Sequence, residues 1–150
     1  MLIYIDGDAC PVKAETYKVA KRHAIKTLVV ANSTMMVPTD ELIELVVVRG
    51  GFDAADDWIV ERITPEDVAI TSDIPLAGRC LRQGAKVLGP KGHPFTEDSI
   101  GEALATRGLK EMLRQSGEFG GGPRPYAKDD RSRYLAKLDE VLHALRRRLK

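Results

Sequence analysis

The chain has 150 residues, 43% hydrophobic and 30% charged, with 23 Lys and Arg against 22 Asp and Glu. These proportions suit one globular domain with its own core and exclude a wholly disordered chain. Cys10 and Cys80 are its two cysteines and no apolar run nears the roughly 18 residues that span a bilayer, so neither a disulfide-stapled mini-protein nor a membrane-spanning helix fits.

In chain order, the strand candidates are residues 2–5, 27–31, 45–48, 67–71 and 85–88. Each is a short and nearly continuous apolar or β-branched run, the pattern of strands buried on both faces. Between the first two, Pro11 suits a first helical turn, and Val12, Thr16, Val19, Ala20 and His23 recur at helical spacing. Residues 32–43 join the second strand to the third without a clear pattern. A second helix follows the third strand, with Asp53 as its N-cap and Ala55, Trp58, Ile59 and Ile63 turned to a core. A third begins at Asp73, with Pro75 in its first turn and Gly84 near its end. Thr96 is a good N-cap for a helix reaching about Gln115, and Gly117 to Pro125 reads as a mobile linker. Beyond it, Leu135, Leu138, Leu142, Leu145 and Leu149 form one apolar stripe on a terminal helix starting near Lys128. The stripe needs a partner. The body of the same chain is the favoured one and a homodimer seam the other, so a monomer or a homodimer through this helix is expected.

The alternation of strands and helices predicts an α/β fold: a three-layer sandwich around a mostly parallel five-stranded sheet, with a C-terminal helical extension. The organisation read from it is an α/β domain over 1–116, a Gly/Pro-rich linker over 117–127 and a basic amphipathic helix over 128–150. Charge divides in the same way. Residues 1–123 carry 14 basic and 18 acidic side chains, and residues 124–150 carry 9 and 4. Such a basic tail can draw a polyanion toward an acidic site. No basic leader precedes the first strand, and the two cysteines lie far apart, so a reduced cytoplasmic protein is expected.

Parallel sheets place their sites beyond the carboxyl ends of the strands. Asp6 and Asp8 flank Gly7 after the first strand, and Thr71, Ser72 and Asp73 follow the fourth. Asp8 and Asp73 also suit helix caps. Asp53, Asp56 and Asp57 open the second helix, where the helix dipole favours acids without any ligand; three acids in five residues exceed what capping needs. Asp56 is better aimed at a neighbouring strand end than Asp57, though both stay open. Crowded carboxylates raise one another's pKa unless a cation holds them, and their hard oxygens suit Mg2+ or Mn2+. Asp6, Asp8, Asp53, Asp56, Asp57 and Asp73 are thus the candidate metal ligands, and Asp6, Asp56, Asp57 and Asp73 the candidate catalytic set. Lys13 is a candidate phosphate contact, as are Thr71, Ser72, Lys91 of Gly89-Pro90-Lys91-Gly92, and Lys128, Arg131 and Arg133 of the tail; the amides of that glycine loop could also approach a phosphate. Cys10 and Cys80 read as packed small residues. His23, His93 and His143 share no ligand spacing and read as packing or solvent-facing residues.

Four stretches together resemble the YaiI/YqxD family of bacterial proteins: Asp-Gly-Asp-Ala-Cys-Pro-Val-Lys at 6–13, Gly-Phe-Asp-Ala-Ala-Asp-Asp-Trp-Ile at 51–59, Thr-Ser-Asp-Ile-Pro-Leu-Ala at 71–77 and the Gly-Pro-Lys-Gly at 89–92. Gly7 departs from the family, which often has alanine there. That family is functionally uncharacterised and is similar to PIN-like domains, whose nucleases gather carboxylates at the ends of the first and fourth strands and near an intervening helix. The resemblance implies that Asp6 is the first-strand acid, Asp56 or Asp57 the helix acid, and Thr71 with Asp73 the Thr-x-Asp element.

The expected activity is metal-dependent hydrolysis of phosphodiesters, with RNA as the nucleic-acid partner. Two other readings exist. Ile5-Asp6-Gly7-Asp8 is similar to the nucleophile and acid pair of haloacid-dehalogenase phosphohydrolases, although Asp56-Asp57 precedes rather than follows the hydroxyl-bearing strand. A non-catalytic RNA-binding module is the other.

Overall fold

In the computed structural model, residues 1–8, 10–51, 53–101 and 126–149 are described. Strands β1 (Leu2–Asp6), β2 (Lys26–Ala31), β3 (Ile43–Val47), β4 (Val68–Ile70), β5 (Lys86–Leu88) and β6 (Pro94–Phe95) form one sheet in the order β3-β2-β1-β4-β5-β6. All neighbours are parallel except β5 and β6. The parallel core is the expected one, but the sheet has six strands rather than five. Gly92, at φ 86°, turns the chain after β5, and the Gly89 amide meets the His93 carbonyl at 3.0 Å, folding Pro94–Phe95 back as an edge. Two residues carry no periodicity to read.

The expected alternation of helices holds. Helix α1 (Lys13–Arg22) starts two residues later than Pro11 suggests, with Val12 at the N-cap. Helix α2 (Ala54–Arg62) has Asp53 at its N-cap position, but the Asp53 side chain makes no cap hydrogen bond. Helix α3 (Ile74–Arg82) is capped by Asp73 and followed by Gly84 at φ 85°. Thr96 Oγ1 accepts from the Ser99 amide at 3.1 Å and opens the helical turns at 97–101; the expected run to Gln115 and the glycine-rich linker lie outside the described residues.

Two cores sandwich the sheet. On one face Ile3, Ile5, Val29, Val68 and Ile70 meet Val12, Val19 and Ala20 of and around α1. On the other, Tyr4, Leu28, Val30, Ala69 and Val87 meet Ala55 and Ile59 of α2 and Leu76, Ala77 and Cys80 of α3. The terminal helix, α4 (Lys128–Arg148), joins the first core by burying Tyr134, Leu138, Leu142 and Leu145, each residue worth about 1.5–3 kcal/mol. The stripe lies on the body, slightly rotated from its expected form: Tyr134 replaces Leu135 at its head, and Leu149 is 42% exposed past the helix end. The Tyr134 hydroxyl, 2.6 Å from Thr16 Oγ1, joins α4 to α1 inside the core. Among the described residues no helix is long and apolar enough to cross a membrane.

Candidate functional site

Sheet order decides where a site can form. The chain builds outward from β1 through β2 to β3, then returns to lay β4 and β5 on the other side, so a crevice opens at the carboxyl ends of β1 and β4. Asp6 ends β1, and Thr71 follows β4. Thr71, 1% exposed, donates its hydroxyl hydrogen to Asp6 Oδ2 at 2.8 Å. The same Thr71 oxygen accepts from the Asp73 amide at 2.9 Å, while Asp73 Oδ1 accepts from the Leu76 amide at 3.0 Å. One continuous chain of hydrogen bonds therefore fixes Asp6, Thr71 and Asp73 against the start of α3.

Electrostatics bring Asp56 into the same group. Asp6 is 6% exposed, and burial raises its pKa most; the Thr71 hydrogen bond opposes that, and the Asp73 and Asp8 charges add to it. Asp56, in the first turn of α2, is pushed up to about 6, first by burial and then by the charges of Asp6, Asp73 and Asp53, with Arg79 opposing. Asp57, more exposed than Asp56, pairs with Arg79 at 2.8 Å. This separates the two helix acids that the sequence leaves open. The donor atoms of the acids stay looser than those of a preformed metal cage: among the described residues, the set of three whose donor atoms all lie within 4.8 Å of one another is His23, Asp139 and His143.

The other predicted residues take varied places. Asp8 is exposed and its Oδ2 accepts from the Asn32 amide at 2.9 Å, so it ties the β1 and β2 loops together instead of capping α1. Asp53 is exposed and acts on the site through its charge on Asp56. Lys13 donates to the Cys10 carbonyl at 2.9 Å. Ser72 is exposed and Lys91 half-buried. The amides of Gly89 and Gly92 close the turn into β6, on the His93 and Gly89 carbonyls, and do not form the expected phosphate cradle. Lys128 is exposed at the start of α4. Arg131 pairs with Glu15 of α1 at 3.4 Å, and Arg133 with Asp130 at 3.0 Å and the Lys91 carbonyl at 3.4 Å. These two arginines fasten α4 to the body as well as adding positive charge. Burial raises the Cys10 thiol to about 11 and the Cys80 thiol to about 12, so both are neutral packed residues.

Sequence reasoning missed Arg79, whose site role comes from α3 lying beside α2, and Asn32, whose backbone amide gives no sequence signal at all. It also missed the meeting of His23 and His143 at Asp139. The i,i+4 spacing of Asp139 and His143 on a helix was the available clue.

The family described as "Uncharacterized BCR, YaiI/YqxD family" matches residues 4–144, a span that includes β1, β4 and both helix starts of the crevice. The chain belongs to the YaiI/YqxD family. A UPF0178 protein of Bradyrhizobium diazoefficiens is 55% identical over 97% of this chain and 87% of its own. UPF0178 proteins of Rhodopseudomonas palustris strain HaA2 and of Paramagnetospirillum magneticum are 53% and 54% identical, each over 97% of this chain and over 89% and 96% of their own. No solved structure matches the chain. For this YaiI/YqxD protein the chemistry follows from the donor set: Asp6, Asp56 and Asp73 offer hard carboxylate oxygens, which fit a Mg2+-like ion and give little to a soft one.

Proposed function

We propose that the protein is a divalent-metal-dependent nuclease that hydrolyses phosphodiesters, with RNA as the polymer. The observation that carries this reading is that three separate elements bring carboxylates to the Asp6–Thr71 hydrogen bond at the carboxyl edge of the sheet, where the Asp73 charge helps raise the pKa of Asp6 and the Asp6 and Asp73 charges help raise that of Asp56. Structural acids gain nothing from such crowding; ligands of a shared cation do. Asp6, Asp56 and Asp73 would hold Mg2+ or Mn2+, and when bound the ion supplies Lewis acidity at the phosphate and at water. Asp56 brings its carboxylate to the site from the first turn of α2. Thr71 keeps Asp6 in one orientation. Lys13 and the basic start of α4, Lys128 with Arg131 and Arg133, supply a positive flank for the phosphate backbone. The two buried, unpaired cysteines accord with a reducing cytoplasmic setting.

The test is cleavage of single- and double-stranded RNA and DNA by the purified protein with Mg2+, Mn2+ or a chelator. Wild type cleaves RNA only with metal. The Asp6→Asn/Asp73→Asn variant loses at least about a hundredfold in rate, with an unchanged circular dichroism spectrum. Full activity in that variant defeats the proposal. So does a wild type that cleaves nothing yet binds RNA in a salt-sensitive way that survives Asp6→Asn, the behaviour of a non-catalytic binding module.

A further inference from the structure

Away from the acidic crevice, α1 and α4 bring a second set of ligating side chains together. His23 stands at the C-cap of α1, 6% exposed, with its backbone amide held by the Val19 and Lys21 carbonyls. Its Nε2 lies 2.7 Å from Asp139 Oδ1. One helical turn further along α4, His143 Nε2 lies 3.5 Å from Asp139 Oδ2. The two imidazoles meet edge to face with ring centroids 4.6 Å apart, and one donor atom from each of the three residues falls within 4.8 Å of the others.

We propose that His23, Asp139 and His143 form a binding site for a divalent transition-metal ion of the zinc class, which fastens the end of α1 to α4. Two imidazole nitrogens and one carboxylate are the donors such an ion takes at about 2.0–2.2 Å, and imidazole selects it over Mg2+. Tetrahedral ligands at that radius stand about 3.4 Å apart. The Asp139–His143 separation of 3.5 Å already has that spacing. The 2.7 Å His23–Asp139 hydrogen bond gives way as the ion takes the place of the proton between Nε2 and Oδ1; that proton goes to solvent and the ring stays neutral with a proton on Nδ1. His143 is 59% exposed, free to adjust its ring and open to an arriving ion, while buried His23 is fixed in advance. Arg22 contacts Asp139 Oδ1 at 3.3 Å, and Arg146 donates to the His23 carbonyl. The first serves as an outer partner of the ligating carboxylate. Together these two cations hold affinity below that of a thiolate-rich zinc site. Three protein ligands leave the fourth position to water on the exposed side.

The experiment is calorimetric titration of the untagged full-length protein with zinc chloride, alongside thermal unfolding. The Asp6→Asn/Asp56→Asn background removes zinc binding at the crevice. In that background one equivalent of zinc binds and millimolar Mg2+ does not displace it. Tm rises by about 5–10 °C at a hundredfold excess over Kd. Adding His143→Ala, at an exposed position that does not threaten the fold, weakens binding at least tenfold. Unchanged zinc affinity in His143→Ala overturns the site, as does the absence of any bound zinc in the Asp6→Asn/Asp56→Asn protein. Neither result bears on metal-dependent cleavage by wild type.

Discussion

Strands β1 and β4 lie side by side, and each end of the pair carries a buried aspartate: Asp67 at the amino edge and Asp6 at the carboxyl edge. Asp67, 4% exposed, accepts three hydrogen bonds, from the Leu2 amide at 2.8 Å and from the Thr64 amide and hydroxyl at 2.9 Å each. Its charge is spread over these three donors, and it ties the start of β1 to the turn before β4. Asp6 receives the Thr71 hydroxyl and the Asp8 backbone amide, and around it stand further carboxylates that raise its pKa. Equal burial thus serves opposite ends. One acid is held by local donors and fastens the fold; the other is kept among like charges, an arrangement that costs stability.

That contrast can be broken by substitution. Asp67→Ala strands three donors and should cost about 3 kcal/mol in urea unfolding, with unaltered cleavage per folded molecule. Asp56→Asn should act the other way. Asp56 binds its proton more tightly in the fold than in the unfolded chain, so as pH climbs from the ordinary aspartate value of 3.8 to about 6 its contribution to stability is lost. Removing the charge should raise stability at pH 8 by about 1 kcal/mol, allowing for solvent screening at a partly exposed site, and leave it unchanged at pH 3. Thermal unfolding across that range checks both. Asp73→Asn should move stability by only a few tenths of a kcal/mol, since asparagine caps helices as well as aspartate does. A large loss of metal-dependent cleavage in the same variant would sharpen the distinction between the capping oxygen and the site charge.

Much of this arrangement is legible in the sequence, for identifiable reasons. Buried parallel strands write themselves as short apolar runs, and Asp6, Thr71 and Asp73 are placed by the strands that end just before them. Choices settled by partners far along the chain are not legible. Asp56 and Asp57 differ because Arg79 of α3 takes one of them. Tyr134 heads the α4 stripe because its hydroxyl finds Thr16, a pairing across 118 residues that a count of leucines cannot foresee. The glycines at 89 and 92 signal a tight turn, and whether its amides face a ligand or their own hairpin depends on β6, which is too short to announce itself.

Gly92 shows how little play exists where α4 begins. A Cβ there would stand 2.8 Å from the Arg133 carbonyl carbon and 2.9 Å from its oxygen, while the Tyr126 hydroxyl holds the Pro90 carbonyl at 2.9 Å. The loop beyond β5 and the first turns of α4 are therefore packed directly against each other. Any side chain at position 92 would have to part the loop from the helix, and the φ of 86° there adds backbone strain to the collision.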